Sequence, residues 1–111
     1  MKNIIVVTGG AGFVGSNLIS LLIKKTKFKI ISIDDYSTGK KKNHLDNQRV
    51  TYVKGNTKNI STILKKKKNK IITIFHFGEF SRIYQSFIKM NECINSNTIG
   101  SNEVFNFCLS N

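Results

Sequence analysis

Four short apolar runs alternate with stretches of helical periodicity along the chain. Ile4 to Val7 is a β-branched run of the kind that forms a strand buried on both faces. Glycines interrupt it, and from Phe13 apolar residues recur at helical spacing, with Val14, Leu18, Leu21 and Leu22 on one face. Lys24, Lys25 and Lys27 crowd the end of this helix, where cations suit the helix dipole. Phe28 to Ile33 reads as a second strand that Asp34 and Asp35 bring to an end. Residues 36 to 49 are polar and predict a loop. Val50 to Val53 is a third strand, closed by Lys54-Gly55-Asn56. Asn59 to Leu64 predicts a short helix, with Lys65 to Lys68 and Asn69 as its solvated end and the turn after it. Ile71 to Phe77 is a strongly apolar fourth strand. An irregular stretch follows Gly78, and a longer helix is expected from about Lys89 to Leu109. Strands that alternate with helices across short loops pair in parallel through right-handed crossovers. The expected architecture is α/β, half of a doubly wound parallel sheet with strand order 3-2-1-4 in one domain.

The junction between the first strand and first helix carries the main chemical signal, Thr8-Gly9-Gly10-Ala11-Gly12-Phe13-Val14-Gly15. Glycines 9, 12 and 15 sit three apart. The first allows a sharp turn out of the strand, the second lets backbone approach a pyrophosphate, and the third lets the helix pack close to the sheet. The helix N-terminus then offers free N–H groups and a positive dipole end to phosphates. A glycine-rich turn without a ligand is the plain alternative. Asp34 follows Gly15 by 19 residues, close to the roughly 20 expected for an acid that binds the adenosine ribose hydroxyls. Its charge repels a 2′-phosphate, which favours NAD over NADP. Lys40, Lys41 and Lys42 soften that repulsion, but no arginine stands there.

Thr8 to Ser16, then Ile33-Asp34-Asp35-Tyr36-Ser37-Thr38-Gly39, resembles the extended short-chain dehydrogenase/reductase family, and within it the NAD-dependent epimerases/dehydratases of the UDP-glucose 4-epimerase kind. The resemblance runs along essentially the whole chain. It implies a Rossmann-like fold and a cofactor site formed by Gly9, Gly12, Phe13, Val14 and Gly15, then by Asp34, Asp35, Tyr36, Ser37, Thr38 and Gly39. Val53-Lys54-Gly55-Asn56-Thr57 is similar to the segment where an acid meets the adenine amino group; here Asn56 replaces Asp, with an amide oxygen that still accepts, and Thr57 follows. Phe75-His76-Phe77-Gly78-Glu79 resembles the fourth strand and its turn, so that Phe77, Gly78 and Glu79 pass beneath the nicotinamide half. Glu79 departs from the usual Ala or Gly, and His76 reads as a strand-end packing residue. Asn97-Thr98-Ile99-Gly100-Ser101 is similar to a helix motif whose Asn lies near the nicotinamide, which adds Asn97 to the set.

The family's reaction uses Tyr-x-x-x-Lys and a Ser or Thr, the tyrosine acting as acid/base. Among Tyr36, Tyr52 and Tyr84, only Tyr36 has a lysine four residues on, and Lys40 lies in the ribose loop. No catalytic residue is therefore assigned. The chain is expected to be the NAD-binding portion of such an enzyme, a fragment that is inactive alone, with a nucleotide sugar as substrate of the full-length relatives. Isomerase chemistry at C4 of a UDP-sugar leads, ahead of dehydration or decarboxylation. Alternatives are a stand-alone NAD-binding or regulatory module, and a half-sheet that does not fold stably. The last helix is the candidate surface for a homodimer.

Composition adds limits. At 111 residues and 40% hydrophobic, the chain supports one core. No apolar run is long enough to cross a membrane, and the start lacks the form of a signal peptide, so a cytoplasmic protein is expected. The net charge of +12 is nearly all lysine, with only Arg49 and Arg82 beside it, and aromatics are not interleaved with it. This reads as a solvated basic surface and not as a specific nucleic-acid interface. Cys93 and Cys108 are expected in the last helix as mostly buried free thiols, and no clustered ligands predict a metal.

Overall fold

The β-branched run at the start of the chain becomes β1 (Ile4–Thr8), with all five residues buried. The computed structural model describes residues 2–78 and 99–110. After β1 come α1 (Phe13–Lys25), β2 (Lys29–Asp34), β3 (Val50–Lys54), α2 (Ile60–Ile63), β4 (Ile71–His76) and α3 (Ser101–Leu109). The strands form one parallel sheet of order β3-β2-β1-β4, as the alternation predicted.

Side chains alternate across a strand with a period of two, so each strand feeds two cores. On one face Ile4, Val6, Ile31, Ile33 and Ile71 meet Ile60 and Leu64 around α2, and Val104 and Phe107 of α3. On the other, Ile5, Val7 and Ile30 lie under Ile19 of α1, with Leu18, Leu22 and Ile23 packed around them. Each fully buried Ile, Leu or Val contributes about 1.5–3 kcal/mol of transfer free energy. The β1–β4 register shifts between Ile4 and Ile5, which pair with Ile71 and Thr73. This bulge leaves Ile72 outside the pairing and exposed.

Several expectations change in detail. The buried stripe of α1 is Gly15 and Ile19, flanked by Leu18, Leu22 and Ile23, whereas Val14 and Leu21 are 56% and 50% exposed. The stripe is set by which residue fits closest to the sheet, and that is Gly15. The expected helix over 59–64 splits into a 3-10 turn, Thr57–Asn59, the single turn of α2, and a second 3-10 segment, Lys65–Lys70. The loop over 36–49 holds a 3-10 turn at Lys41–Asn43. Of the last helix, Ser101–Leu109 is described; residues 89–98, with Cys93, lie outside the described residues. Cys108 is exposed and not buried as expected, because α3 turns Ser101, Val104 and Phe107 inward and Cys108 falls on the outer side with Leu109.

Arg49 closes the far end of α1. Its Nη2 donates to the Ile23 carbonyl at 2.6 Å, and its Nη1 donates to the carbonyls of Thr26 at 2.7 Å and Phe28 at 3.3 Å. Carbonyls at a helix C-terminus lack intrahelical partners, so a fixed cation there satisfies them and opposes the dipole. Ten of the lysines (Lys2, Lys24, Lys25, Lys27, Lys29, Lys65, Lys66, Lys67, Lys68 and Lys70) stand at this same end, where the strands begin and α1 stops.

In urea denaturation Ile19→Ala should cost about 2–5 kcal/mol, and Leu21→Ala no more than about 0.5 kcal/mol. Equal losses would place the buried stripe of α1 elsewhere. Arg49→Ala should cost about 1.5–3 kcal/mol, read as a lower urea midpoint with an unchanged slope.

Candidate functional site

The opposite end of the sheet, where the strands finish, holds a cleft of about 440 Å³. The chain leaves β1 toward β2 and β3 on one side and returns to β4 on the other, and such a reversal leaves a crevice between the loops. Hydrogen bonds continue the ladder past the strand ends: Gly9 N–H to the Ile33 carbonyl at 2.7 Å, Phe77 N–H to Thr8 at 3.0 Å, and Gly55 N–H to Asp34 at 3.0 Å. The loops that bound the cleft are thereby held to the sheet.

The floor is the glycine turn. Gly9 has φ +73°, a left-handed conformation that a side chain disfavours, and a Cβ there would also lie 2.7 Å from the Phe77 carbonyl carbon. Gly15 is buried against the same turn, where a Cβ would drive into the Gly9 carbonyl oxygen. Gly12, by contrast, has φ −81°, and a Cβ there would meet only the Gly9 oxygen at 3.3 Å, so the space above it is open. The helix begins with the Ser16 N–H to Gly12 carbonyl bond at 3.0 Å. The amides of Phe13, Val14 and Gly15 have no hydrogen-bond acceptor among the described residues, and no acid stands in the first turn of α1. The Phe13 side chain is 82% exposed at the mouth of the cleft.

Asp34, the last residue of β2, is oriented from both sides. The Ala11 amide donates to its Oδ2 at 3.0 Å, and the Tyr36 amide donates to its Oδ1 at 2.8 Å. Each carboxylate oxygen keeps a second lone pair for a ligand. Asp35 Oδ1 accepts from the Ser37 amide at 2.9 Å. The loop then folds back onto the glycine turn: the Ala11 carbonyl accepts from the Lys40 amide at 3.0 Å and from Asn43 Nδ2 at 2.8 Å. Tyr36 has φ +62°, a conformation that costs a non-glycine residue about 1–3 kcal/mol. Its hydroxyl lies 2.6 Å from His44 Nε2, and the His44 ring stacks on Tyr52 at 3.8 Å between centroids and 10° between planes. Burial pushes the Tyr36 hydroxyl above the ordinary tyrosine range, with the charges of Asp34 and Tyr52 adding to it. The phenol therefore keeps its proton beside the His44 ring.

On the far wall, Asn56 Oδ1 accepts from the Lys58 amide at 3.0 Å and caps the turn after β3. Thr57 is only 5% exposed, and its Oγ1 has no partner among the described residues. At the end of β4, His76 Nδ1 lies 2.6 Å from Thr8 Oγ1 and Nε2 lies 2.9 Å from Ser101 Oγ. Thr8 Oγ1 already accepts from the Gly78 amide at 2.9 Å. This set ties β1, β4 and α3 to the turn that carries Gly78.

Of the residues singled out in the sequence, Gly9, Gly12, Phe13, Val14 and Gly15 line the cleft, as do Asp34, Asp35, Ser37 and Thr38, and Asn56, Thr57, Phe77 and Gly78. Tyr36 and Gly39 are not in its lining: Tyr36 turns to His44, and Gly39 lies behind Asp34, where a Cβ would come 2.7 Å from Oδ2. Glu79 and Asn97 lie outside the described residues. Ile33, Gly55 and His76 line the cleft and had not been singled out as ligand residues. Ile33 and His76 close parallel strands, and that position alone is a signal, since ligands of such sheets bind beyond the carboxyl ends of the strands.

Comparison with known proteins agrees with this geometry. Residues 5–111 match the model of the NAD dependent epimerase/dehydratase family. A Bacillus subtilis relative, the uncharacterized UDP-glucose epimerase YtcB, is 33% identical over 92 residues, covering 74% of this chain and 28% of that protein. The structure of a UDP-N-acetylglucosamine 4-epimerase from Methanobrevibacter ruminantium, in complex with UDP-N-acetylmuramic acid, superposes with TM-score 0.81 at 30% identity over 100% of this chain and 36% of that one. The Bordetella bronchiseptica enzyme WbmF, solved with NAD+, shares the fold at TM-score 0.86 and 22% identity, over 96% of this chain and 32% of its own. The chain thus spans about a third or less of the relatives it matches. A parallel sheet of this order, a glycine turn under an open crevice and a family match over nearly every residue lead to one conclusion: the chain belongs to the NAD dependent epimerase/dehydratase family.

Proposed function

We propose that this chain holds NAD in the cleft at the carboxyl end of its sheet, as the cofactor-binding portion of a nucleotide-sugar epimerase/dehydratase. The observation that carries the reading is the first turn of α1. Three successive amides, Phe13, Val14 and Gly15, lie without an acceptor among the described residues beside the open space over Gly12. Amides so aligned at the positive end of a helix bind phosphate oxygens. Asp34 stands across the turn with lone pairs to spare, suited to the two hydroxyls of an adenosine ribose. Asn56 and the buried, unpartnered Thr57 hydroxyl supply polar contacts on the adenine side. The exposed Phe13 and Val14 side chains supply apolar surface.

Bound NAD supplies a hydride acceptor for a sugar carbon. The residues of this chain bind and orient it: α1 holds the diphosphate, Asp34 the ribose, and the His76–Thr8–Ser101 set fixes the turn at Phe77 and Gly78. The substrate class is a UDP-sugar, with inversion at C4 as the leading reaction and dehydration or decarboxylation as its relatives. Tyr36 is the wrong tyrosine for acid/base work, because its hydroxyl is engaged with His44 outside the cleft.

Calorimetric titration of the 111-residue chain with NAD tests the site. Gly12→Ala should weaken binding by about tenfold or more, while the melting temperature stays nearly unchanged because a Cβ there meets only one atom. Unchanged affinity would show that no diphosphate lies over the turn. Asp34→Ala should abolish measurable binding, and Asp34→Asn, which keeps an acceptor, should retain part of it. Incubated with NAD and UDP-glucose, the chain alone should give no UDP-galactose above the blank; any turnover refutes the assignment of no catalytic residue.

A further inference from the structure

We propose that Tyr36, His44 and Tyr52 form a latch that positions the 36–44 loop and thereby makes the cleft select a dinucleotide with a free 2′-hydroxyl over its 2′-phosphate. The inference rests on the NAD reading above and assigns the selectivity to residues outside the cleft. Two kinds of charge compete for the ribose edge: the Asp34 carboxylate, which accepts from hydroxyls and repels phosphate, and Lys40, Lys41 and Lys42, which attract phosphate. Which kind meets the ligand depends on where the loop stands. Asp34 and Ser37 line the cleft, and none of the three lysines does.

Two tethers hold that arrangement. One ties the Lys40 amide and the Asn43 side chain to the Ala11 carbonyl. The other is the aromatic set. The Tyr36 hydroxyl and His44 Nε2 share a hydrogen bond at 2.6 Å, His44 stacks on Tyr52, and the Tyr52 hydroxyl accepts from the Leu45 amide at 2.7 Å. Tyr52 belongs to β3 and cannot move with the loop, so it is the anchor. Tyr36 sits in a left-handed conformation that a bulky side chain resists, and the contact with His44 opposes its relaxation together with the Tyr36 amide bond to Asp34. Release of the latch leaves the segment that carries the lysines held only at the Ala11 carbonyl, while Asp34 remains fixed by the Ala11 amide.

The test uses the 111-residue chain and compares affinities for NAD and NADP by calorimetry in the native protein, His44→Ala, Tyr36→Phe and His44→Gln. Loss of one such hydrogen bond should weaken NAD by about two- to tenfold. NADP should be weakened less or strengthened, so that the NAD/NADP affinity ratio falls at least about threefold. His44→Gln, whose amide can accept from or donate to the phenol, should restore most of the native ratio. Tyr36→Phe keeps the ring and removes only the hydroxyl, so it remains informative if His44→Ala melts. Equal loss of both affinities, or an unchanged ratio in Tyr36→Phe, overturns the proposal and leaves the NAD reading standing. Failure of the native chain to bind either dinucleotide overturns both.

Discussion

No Cβ separates Gly15 of α1 from the Gly9 carbonyl, and this contact between two stretches of backbone sets the place of everything above it. It draws the first turn of α1 down onto the turn that leaves β1. Ile19 consequently falls on Ile5, Val7 and Ile30, and Val14 is pushed to the outside. The same contact aims the free amides of the first turn over the glycines. A side chain at either position moves the helix off the sheet and the amides away from the crevice together, so the fold and the candidate site share one steric condition.

Ala11 extends that condition to the neighbouring loops. Its amide donates to Asp34 and its carbonyl accepts from Lys40 and Asn43, so one residue joins the glycine turn, the end of β2 and the 36–44 loop. A carboxylate held by two amides presents its remaining lone pairs in a fixed direction, which favours binding because little ordering remains to be done. The loop beyond it is less economical. Tyr36 accepts a strained backbone, and the aromatic contacts with His44 and Tyr52 offset that strain from the outer side of the sheet.

The two ends of the sheet differ in charge. Ten lysines and the Arg49 cap gather where the strands begin, while at the end where they finish Asp34 and Asp35 stand among Lys40, Lys41, Lys42, Lys54 and Lys58. Among the described residues no helix is long and apolar enough to cross a membrane, and no group of side chains could hold a metal ion.

The four strands, their order and the glycine turn were legible in the sequence, because each rests on local information: β-branched runs, glycine spacing, and an acid placed 19 residues after Gly15. Periodicity also revealed α1, yet it misjudged the inward face, since Val14 and Leu21 are as apolar as the residues that are buried. Only tertiary structure decided that choice, through the close approach of Gly15. It alone brought Thr8, His76 and Ser101 into hydrogen-bonding reach, and Tyr36 to His44, residues whose partners lie at distances along the chain that no local pattern encodes. Sequence determined which residues can make a phosphate-binding turn; packing decided which of their neighbours face the crevice and which hold it from behind.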